Sequence, residues 1–372
     1  MKKLPVLFVA TALVALAGCG SGSAGVSEEQ TPAATRSPAT YDTVPQANAA
    51  NWLAGQLRHG LAYNRQYKYD DDSLSADIAF GLHTVPGRER QVETIARAVA
   101  AHLTSYVAPG YGTLISAGAE AKALVLGEEA GAETSGLVSA LERTVIDRGP
   151  AKGRIADQLD PKDKKATDYA NVIGQSYAVQ GLAAAGSSKA AAATAYLLQQ
   201  QCRGGWFRVS FTVDRNARDQ SCDSDPKATP DPDATAFAVL ALASLKDAGH
   251  AVAAARTKAV AWLESQQADD GSFRSAQPSV ANANTTGMAG WALGTVGETE
   301  PAGRAATWIA KHQLGCDAGG AAGAIAYDDA GLAQLRKKGI TVATEGQVRL
   351  ATAQALPVLQ WLPTGEVHDQ RC

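Results

Sequence analysis

Residues 262–273 read Trp262-Leu263-Glu264-Ser265-Gln266-Gln267-Ala268-Asp269-Asp270-Gly271-Ser272-Phe273. An aromatic and a leucine open the stretch and call for burial. Polar residues follow, and Asp269-Asp270-Gly271 marks a turn, because glycine tolerates left-handed backbone. A second aromatic, Phe273, comes straight after the turn. The stretch therefore reads as the last turn of an amphipathic helix, a sharp reversal, and an aromatic that re-enters the core.

The pattern, aromatic-Leu/Ile-x-x-x-Gln or a near variant, recurs along the chain. It appears as Trp52-Leu53-Ala54-Gly55-Gln56, as Tyr196-Leu197-Leu198-Gln199-Gln200 and as Trp308-Ile309-Ala310-Lys311-His312-Gln313. Gly204-Gly205-Trp206-Phe207 repeats the glycine–aromatic turn, and Gly60-Leu61-Ala62-Tyr63 is a weaker copy. A second element alternates with the first. It is an Ala-rich helix that opens on small polar residues: Asp233-Ala234-Thr235-Ala236-Phe237, Thr285-Thr286-Gly287-Met288, Gln175-Ser176-Tyr177-Ala178 and Ser75-Ala76-Asp77-Ile78. Helices 90–106 with 114–127, 133–147 with 170–185, and a last helix over 344–361 bring the count to about six pairs, spaced by about 45 to 60 residues.

Helices of the second kind are apolar nearly all round, which marks burial; those of the first carry Arg, Lys and Glu on one side. The alternation predicts an all-α body, an inner ring of helices within an outer ring. An open superhelical solenoid fits the same repeat. A bridge from Cys316 to the C-terminal Cys372 would favour the closed form.

The segment 262–273 resembles the QW-type repeat of squalene and terpene cyclases and of protein prenyltransferase β-subunits. The resemblance covers most of 47–361 and is strongest over 190–313. It implies an α/α toroid of about six inner and six outer helices in a single domain. The same toroid occurs in cobalamin carriers and complement thioester domains, so the repeat speaks for the fold and not for an activity.

The chemistry of those relatives can be sought residue by residue. Asp231-Pro232-Asp233-Ala234-Thr235-Ala236 resembles the D-x-D-D-T-A motif of class II cyclases, with Asp233 at the position of the proton donor and Ala234 where a further acid belongs. The simpler expectation is that Asp233 caps the helix that starts at 234, worth about 1 kcal/mol. Prenyltransferase zinc needs clustered Asp, Cys and His, but His59, His83, His102, His250, His312 and His368 are scattered. No Cys-Gly-Glu-Gln thioester segment, serine elbow or phosphate loop is present. Neither a metal nor a cofactor is expected. Asp70-Asp71-Asp72 reads as a solvated loop. Loop 203–230, with Asp214, Arg215, Asp219, Asp223 and Asp225, is a more promising place for function, since long loops on a rigid scaffold often carry it.

The N-terminus says where the protein works. Lys2 and Lys3 precede an apolar run from Leu4 to Leu16, and the run ends at Leu16-Ala17-Gly18-Cys19. Charged and apolar regions in this order form an export signal, and small residues directly before a cysteine resemble the lipobox of bacterial lipoproteins. That resemblance implies a signal peptide over 1–18, a mature N-terminus at Cys19 carrying acyl chains, and a membrane-tethered protein outside the cytoplasm. Residues 19–45, rich in Gly, Ser, Thr, Ala and Pro, read as a flexible stalk, and 46–372 as the toroid. Four further cysteines in an exported chain suggest two disulfides. Of the three connectivities, Cys202–Cys222 and Cys316–Cys372 are expected.

A net charge of −3 with well-mixed signs gives no footing for nucleic acid. The expected role is a lipid-anchored binding or interaction module, for a small molecule, a glycan or a surface protein. The alternatives are an enzyme, cyclase-like or a carboxylate hydrolase, and a cobalamin-type carrier. The expected site is the mouth of the inner ring, lined by Asp233, Thr235, Asn284, Thr286, Gln175 and Tyr169. An apolar, aromatic-lined chamber would favour the cyclase case.

Overall fold

The computed structural model describes residues 40–366, apart from 109, 111–113, 164–165 and 247. The signal, Cys19, the stalk up to residue 39, and Cys372 with its expected pairing lie outside the described residues. Helix α1 (Val44–Ala54) leads into a small antiparallel sheet of β1 (Leu57–Arg58), β2 (Leu61–Asn64) and β3 (Tyr69–Asp71). Then follow α2 (Asp72–His83), α3 (Glu89–Ala101), α4 (Leu103–Val107), α5 (Ala117–Glu129), α6 (Ser135–Thr144) and α7 (Val172–Ala184). The second half comprises α8 (Ala190–Gln199), α9 (Pro232–Ala243), α10 (His250–Gln266), α11 (Ala283–Thr295), α12 (Thr299–Lys311), α13 (Asp329–Lys338) and α14 (Glu345–Ala355).

Packing order gives the architecture. Helix α2 packs on α5, α5 on α7, α7 on α9, α9 on α11, α11 on α14, and α14 back on α2. Six inner helices thus close a ring, which disposes of the open solenoid. Helices α3, α6, α8, α10, α12 and α1 back them from outside. The chain is an α/α toroid.

The sequence explains both layers. Outer α3 buries Val92, Ile95, Ala96 and Val99, one stripe at helical spacing, and leaves the opposite side wet. Val92, Ile95 and Val99 each contribute roughly 1.5–3 kcal/mol when fully buried. Inner helices use small residues to come close: a Cβ on Gly174 of α7 would lie 3.1 Å from the Gly118 Cα of α5. Five inner helices also begin alike. Asp71, Ser116, Asn171, Asp231 and Asn282 each accept the N–H three residues on, satisfying a donor the helix start leaves free. The cap of α9 is therefore Asp231, and Asp233 lies inside the first turn.

The repeat itself is a hydrogen-bonded clasp. Gly271 has φ +91°, and a Cβ there would stand 2.3 Å from the Arg304 carbonyl oxygen. The turn aims the Phe273 N–H at the Thr286 hydroxyl, 2.9 Å away. Gln267 Nε2 then donates to the Gly271 carbonyl at 3.0 Å and across to the Pro301 carbonyl of the next outer helix at 2.9 Å. Gln201 joins Gly205 to Ala255 in the same way, both at 2.8 Å. The engaged glutamine stands five places after the aromatic. The neighbouring Gln200 instead accepts from Arg208, and Gln266 donates to Ser265.

Several boundaries differ from expectation. Residues 57–71 carry the small sheet, so the weak copy at Gly60–Tyr63 folds as strand. The helix expected over 90–106 breaks at His102 into α3 and α4. The last helix stops at Ala355, and a 3-10 turn containing Pro357, which has no N–H to give, takes over. The folded body reaches back past Gln46, since Tyr41 pairs with Pro363.

Candidate functional site

Because five inner helices share one cap register, residues at equal distance from the cap stand at matching positions along their helices. Steps of four, three and four residues keep to one helix face. Two residues after the cap stand Ser73, Gly118, Ile173, Asp233 and Asn284. Six after come Asp77, Lys122, Tyr177, Phe237 and Met288; nine after come Phe80, Val125, Gln180, Leu240 and Trp291. Thirteen after come Thr84, Glu129, Ala184, Ser244 and Thr295.

The cavities follow these tiers. An outer lobe of about 380 Å³ opens at the N-terminal ends of α2, α5 and α7 and is lined by Ser73, Tyr106, Lys122, Asp157, Tyr169 and Asn171 among others. An inner lobe of about 200 Å³ is lined from all six inner helices, with Phe80, Tyr177, Phe237 and Trp291 as its aromatic wall and Glu129 toward the C-terminal end. Asp77, Tyr177, Phe237 and Gln354 line both lobes and make the waist between them. Phe80 and Tyr177 stack at 5.6 Å although α2 and α7 are not ring neighbours, so their rings meet across the lumen. Phe237 continues the row, 5.4 Å from Tyr177.

The waist is charged. Lys122 Nζ lies 2.8 Å from Asp77 Oδ1, and both side chains are nearly buried. The ammonium also donates to the Ser73 carbonyl at 2.9 Å and stands 6.0 Å from the Tyr177 ring centre. Burial pulls Lys122 down, but Asp77 and Tyr106 more than reverse this, leaving the ammonium raised and charged. Burial pushes the Asp77 carboxyl up, and Lys122 only partly restores it.

Among the described residues, the carboxyls of Glu129 and Asp233 are paired with no cation. Glu129 accepts from Gln180 Nε2 at 3.3 Å, while its Oε2 is buried with no hydrogen-bond partner. Burial pushes this carboxyl up to about 8. Asp233 bonds the Thr285 hydroxyl, and its Oδ1 is also buried and unpartnered, as is Oδ1 of Asn284 on the adjoining helix. Burial, reinforced by the nearby Asp231 charge, pushes Asp233 up to about 6.

The expected site residues divide. Tyr169 stands on the rim of the outer lobe, 66% exposed. Asp233 and Asn284 share the top tier of α9 and α11 but line neither lobe. Thr235, Thr286 and Gln175 are fully buried and spent on the backbone, accepting the N–H groups of Phe207, Phe273 and Ile155. They turn toward the outer layer, where each meets one of these backbone donors. Asp71 caps α2, and Asp72 is 3.4 Å from His102. In loop 203–230, Asp214, Asp219, Asp223 and Asp225 each accept a backbone N–H of the loop or its neighbour. Cys202 and Cys222 are bonded as expected, and the buried Arg208 ties Gln200 to the Gln220 carbonyl. The loop acts as a clasp. Among the described residues, no group of three or more His, Cys, Asp or Glu is placed to hold a metal ion.

The lumen residues Asp77, Lys122, Tyr177, Phe237, Trp291 and Glu129 were not singled out by the sequence. Their signal is a lone charge or bulky ring at matched distance from each cap.

No family model and no curated protein sequence matches the chain. Solved structures do. A protein from Actinoplanes is 17% identical with a TM-score of 0.56, over 85% of this chain and 98% of that one. The type II terpene cyclase MstE from Scytonema is 16% identical with a TM-score of 0.57, over 85% and 96%. The unsaturated glucuronyl hydrolase from Bacillus sp. GL1 is 10% identical with a TM-score of 0.56, over 87% and 99%. These likenesses establish the toroid.

Proposed function

We propose that the chain binds a small, largely apolar molecule in its lumen, outside the cytoplasm and tethered to the membrane through Cys19. The inner lobe carries the reading: a cavity walled by four aromatic rings and reached by all six inner helices. A cavity of roughly 150 Å³ accepts benzene, so about 200 Å³ suits a compact molecule of about ten non-hydrogen atoms. The lipobox at Leu16–Cys19 supports the location. Native mass spectrometry of protein purified from its own host tests the reading. A small adduct should accompany the wild type and be lost in Leu240→Trp, which fills the lobe. Wild type without any adduct would count against it.

A second reading is an acid catalyst of the cyclase kind. The aromatic wall and the buried, partnerless oxygen of Asp233 favour it. Against it, Ala234 stands where a tuning acid belongs. The similar cyclase from Scytonema takes geranylgeranyl dihydroxybenzoate, far too large for the inner lobe. Incubation with linear isoprenoids decides: a cyclised product that disappears in Asp233→Asn would replace the binding reading.

A further inference from the structure

We propose that the ligand of the inner lobe is an organic ammonium, a compact apolar body whose N–H donates to the Glu129 carboxylate while its charge lies against the aromatic wall. This rests on the lumen-binding reading above and names its chemistry.

Three observations converge. First, the wall is built for a cation: Phe80, Tyr177, Phe237 and Trp291 come from four different helices and surround one small space. A cation near such a ring gains about 0.5–2 kcal/mol, more as water is excluded. Second, Glu129 Oε2 is a buried acceptor without a donor, and among the described residues the carboxyl's one hydrogen bond comes from the neutral Gln180 amide. An unmet buried acceptor is costly, and a charged donor meets it best. Third, the local charge is unbalanced. Lys122 is engaged with Asp77 and lines the outer lobe only, so among the described residues no cation pairs with Glu129. An ammonium completes the set, whereas an anion would face two carboxyls. The raised position of Glu129 agrees, since a bound cation removes the penalty of ionising it.

Three probes of one shape test this on the full-length chain in detergent: 2-phenylethylamine as its cation, 2-phenylethanol and n-propylbenzene, titrated by calorimetry. The amine should bind at least about ten-fold more tightly than the hydrocarbon, the lower end for one charge-assisted hydrogen bond. The alcohol should fall between them. Glu129→Gln should erase the amine's advantage and leave n-propylbenzene unchanged within about two-fold. An alcohol or hydrocarbon that binds as well as the amine overturns the ammonium and leaves the lumen reading standing. An amine advantage that persists in Glu129→Gln also overturns it. If none of the three binds, and Leu240→Trp changes nothing, the lumen reading itself is lost.

Discussion

Gln313, just past the end of α12, donates its Nε2 to the Pro45 carbonyl in the first turn of α1 at 2.8 Å, spanning 268 residues of chain. The same amide reaches the Gly323 carbonyl at 3.1 Å. This is the clasp that Gln201 and Gln267 make between sequence neighbours, used once more between the two ends of the body. Gln313→Ala leaves two buried carbonyls unmet and should cost about 2–4 kcal/mol. Urea unfolding would measure the loss. Amide exchange should accelerate first in α1, and a variant with unchanged α1 protection would refute the role.

The Lys122–Asp77 pair should behave as a buried ion pair. Lys122→Met strands the Asp77 charge and should destabilise by about 3–5 kcal/mol. Adding Asp77→Leu should recover most of that loss, because two apolar side chains replace a desolvated pair. A double variant no better than the single one would show that the pair is not coupled.

Asp233 predicts a pH dependence. Its carboxyl rises from an ordinary 3.8 to about 6 in the folded chain, chiefly by burial. Below about pH 4 both states are protonated and the group contributes nothing. As pH rises from about 4 to about 6 the unfolded chain gives up the proton first, so stability falls, then levels off. Asp233→Asn should therefore match wild type at pH 3.5 and exceed it at pH 7 by on the order of 1–3 kcal/mol. Asp231→Ala, which removes the real cap, should cost about 1 kcal/mol at neutral pH. Parallel melts across pH read both.

The Cys202–Cys222 bond closes a stretch with a sequence separation of 20. Replacing both cysteines by serine should cost about 3 kcal/mol, as expected for a loop of that order. The loop should become open to protease near Arg208, whose partners the bond holds together. Unchanged proteolysis would argue that Arg208 alone holds the clasp.

Cys19→Ala should abolish acylation. The protein should then leave the membrane fraction or keep its uncleaved signal, as shown by fractionation and intact mass. Normal processing with full membrane retention would remove the lipobox reading.

Much of the fold was legible at Trp262–Phe273 because each step has a local cause. The helix needs its apolar stripe, the turn needs Gly271, and the aromatic needs the core. The capping residue of α9 was misplaced by two positions, since Asp231 and Asp233 flank the same proline and both suit a helix start. The lumen was harder to see. Phe237 and Met288 look like any core residue until the ring is closed around them. The clearer marks were Lys122 between alanines and Glu129 seven residues on, which put two charges on one face of a largely buried helix. The Ser/Thr positions near the helix starts misled, because those hydroxyls serve the turns of the preceding outer helix.

The chain ends of the described body meet: the Thr40 and Thr364 hydroxyls stand 2.8 Å apart beside the Tyr41–Pro363 pairing. A ring fastened this way has no privileged starting point. Joining 366 to 40 through a short linker and opening the chain at the exposed turn near Gly131 would give a permuted protein with the same neighbours throughout, since adjoining termini and exposed loop tips are where such rearrangements succeed. The order in which the helices are synthesised is, for this architecture, a matter of history and not of structure.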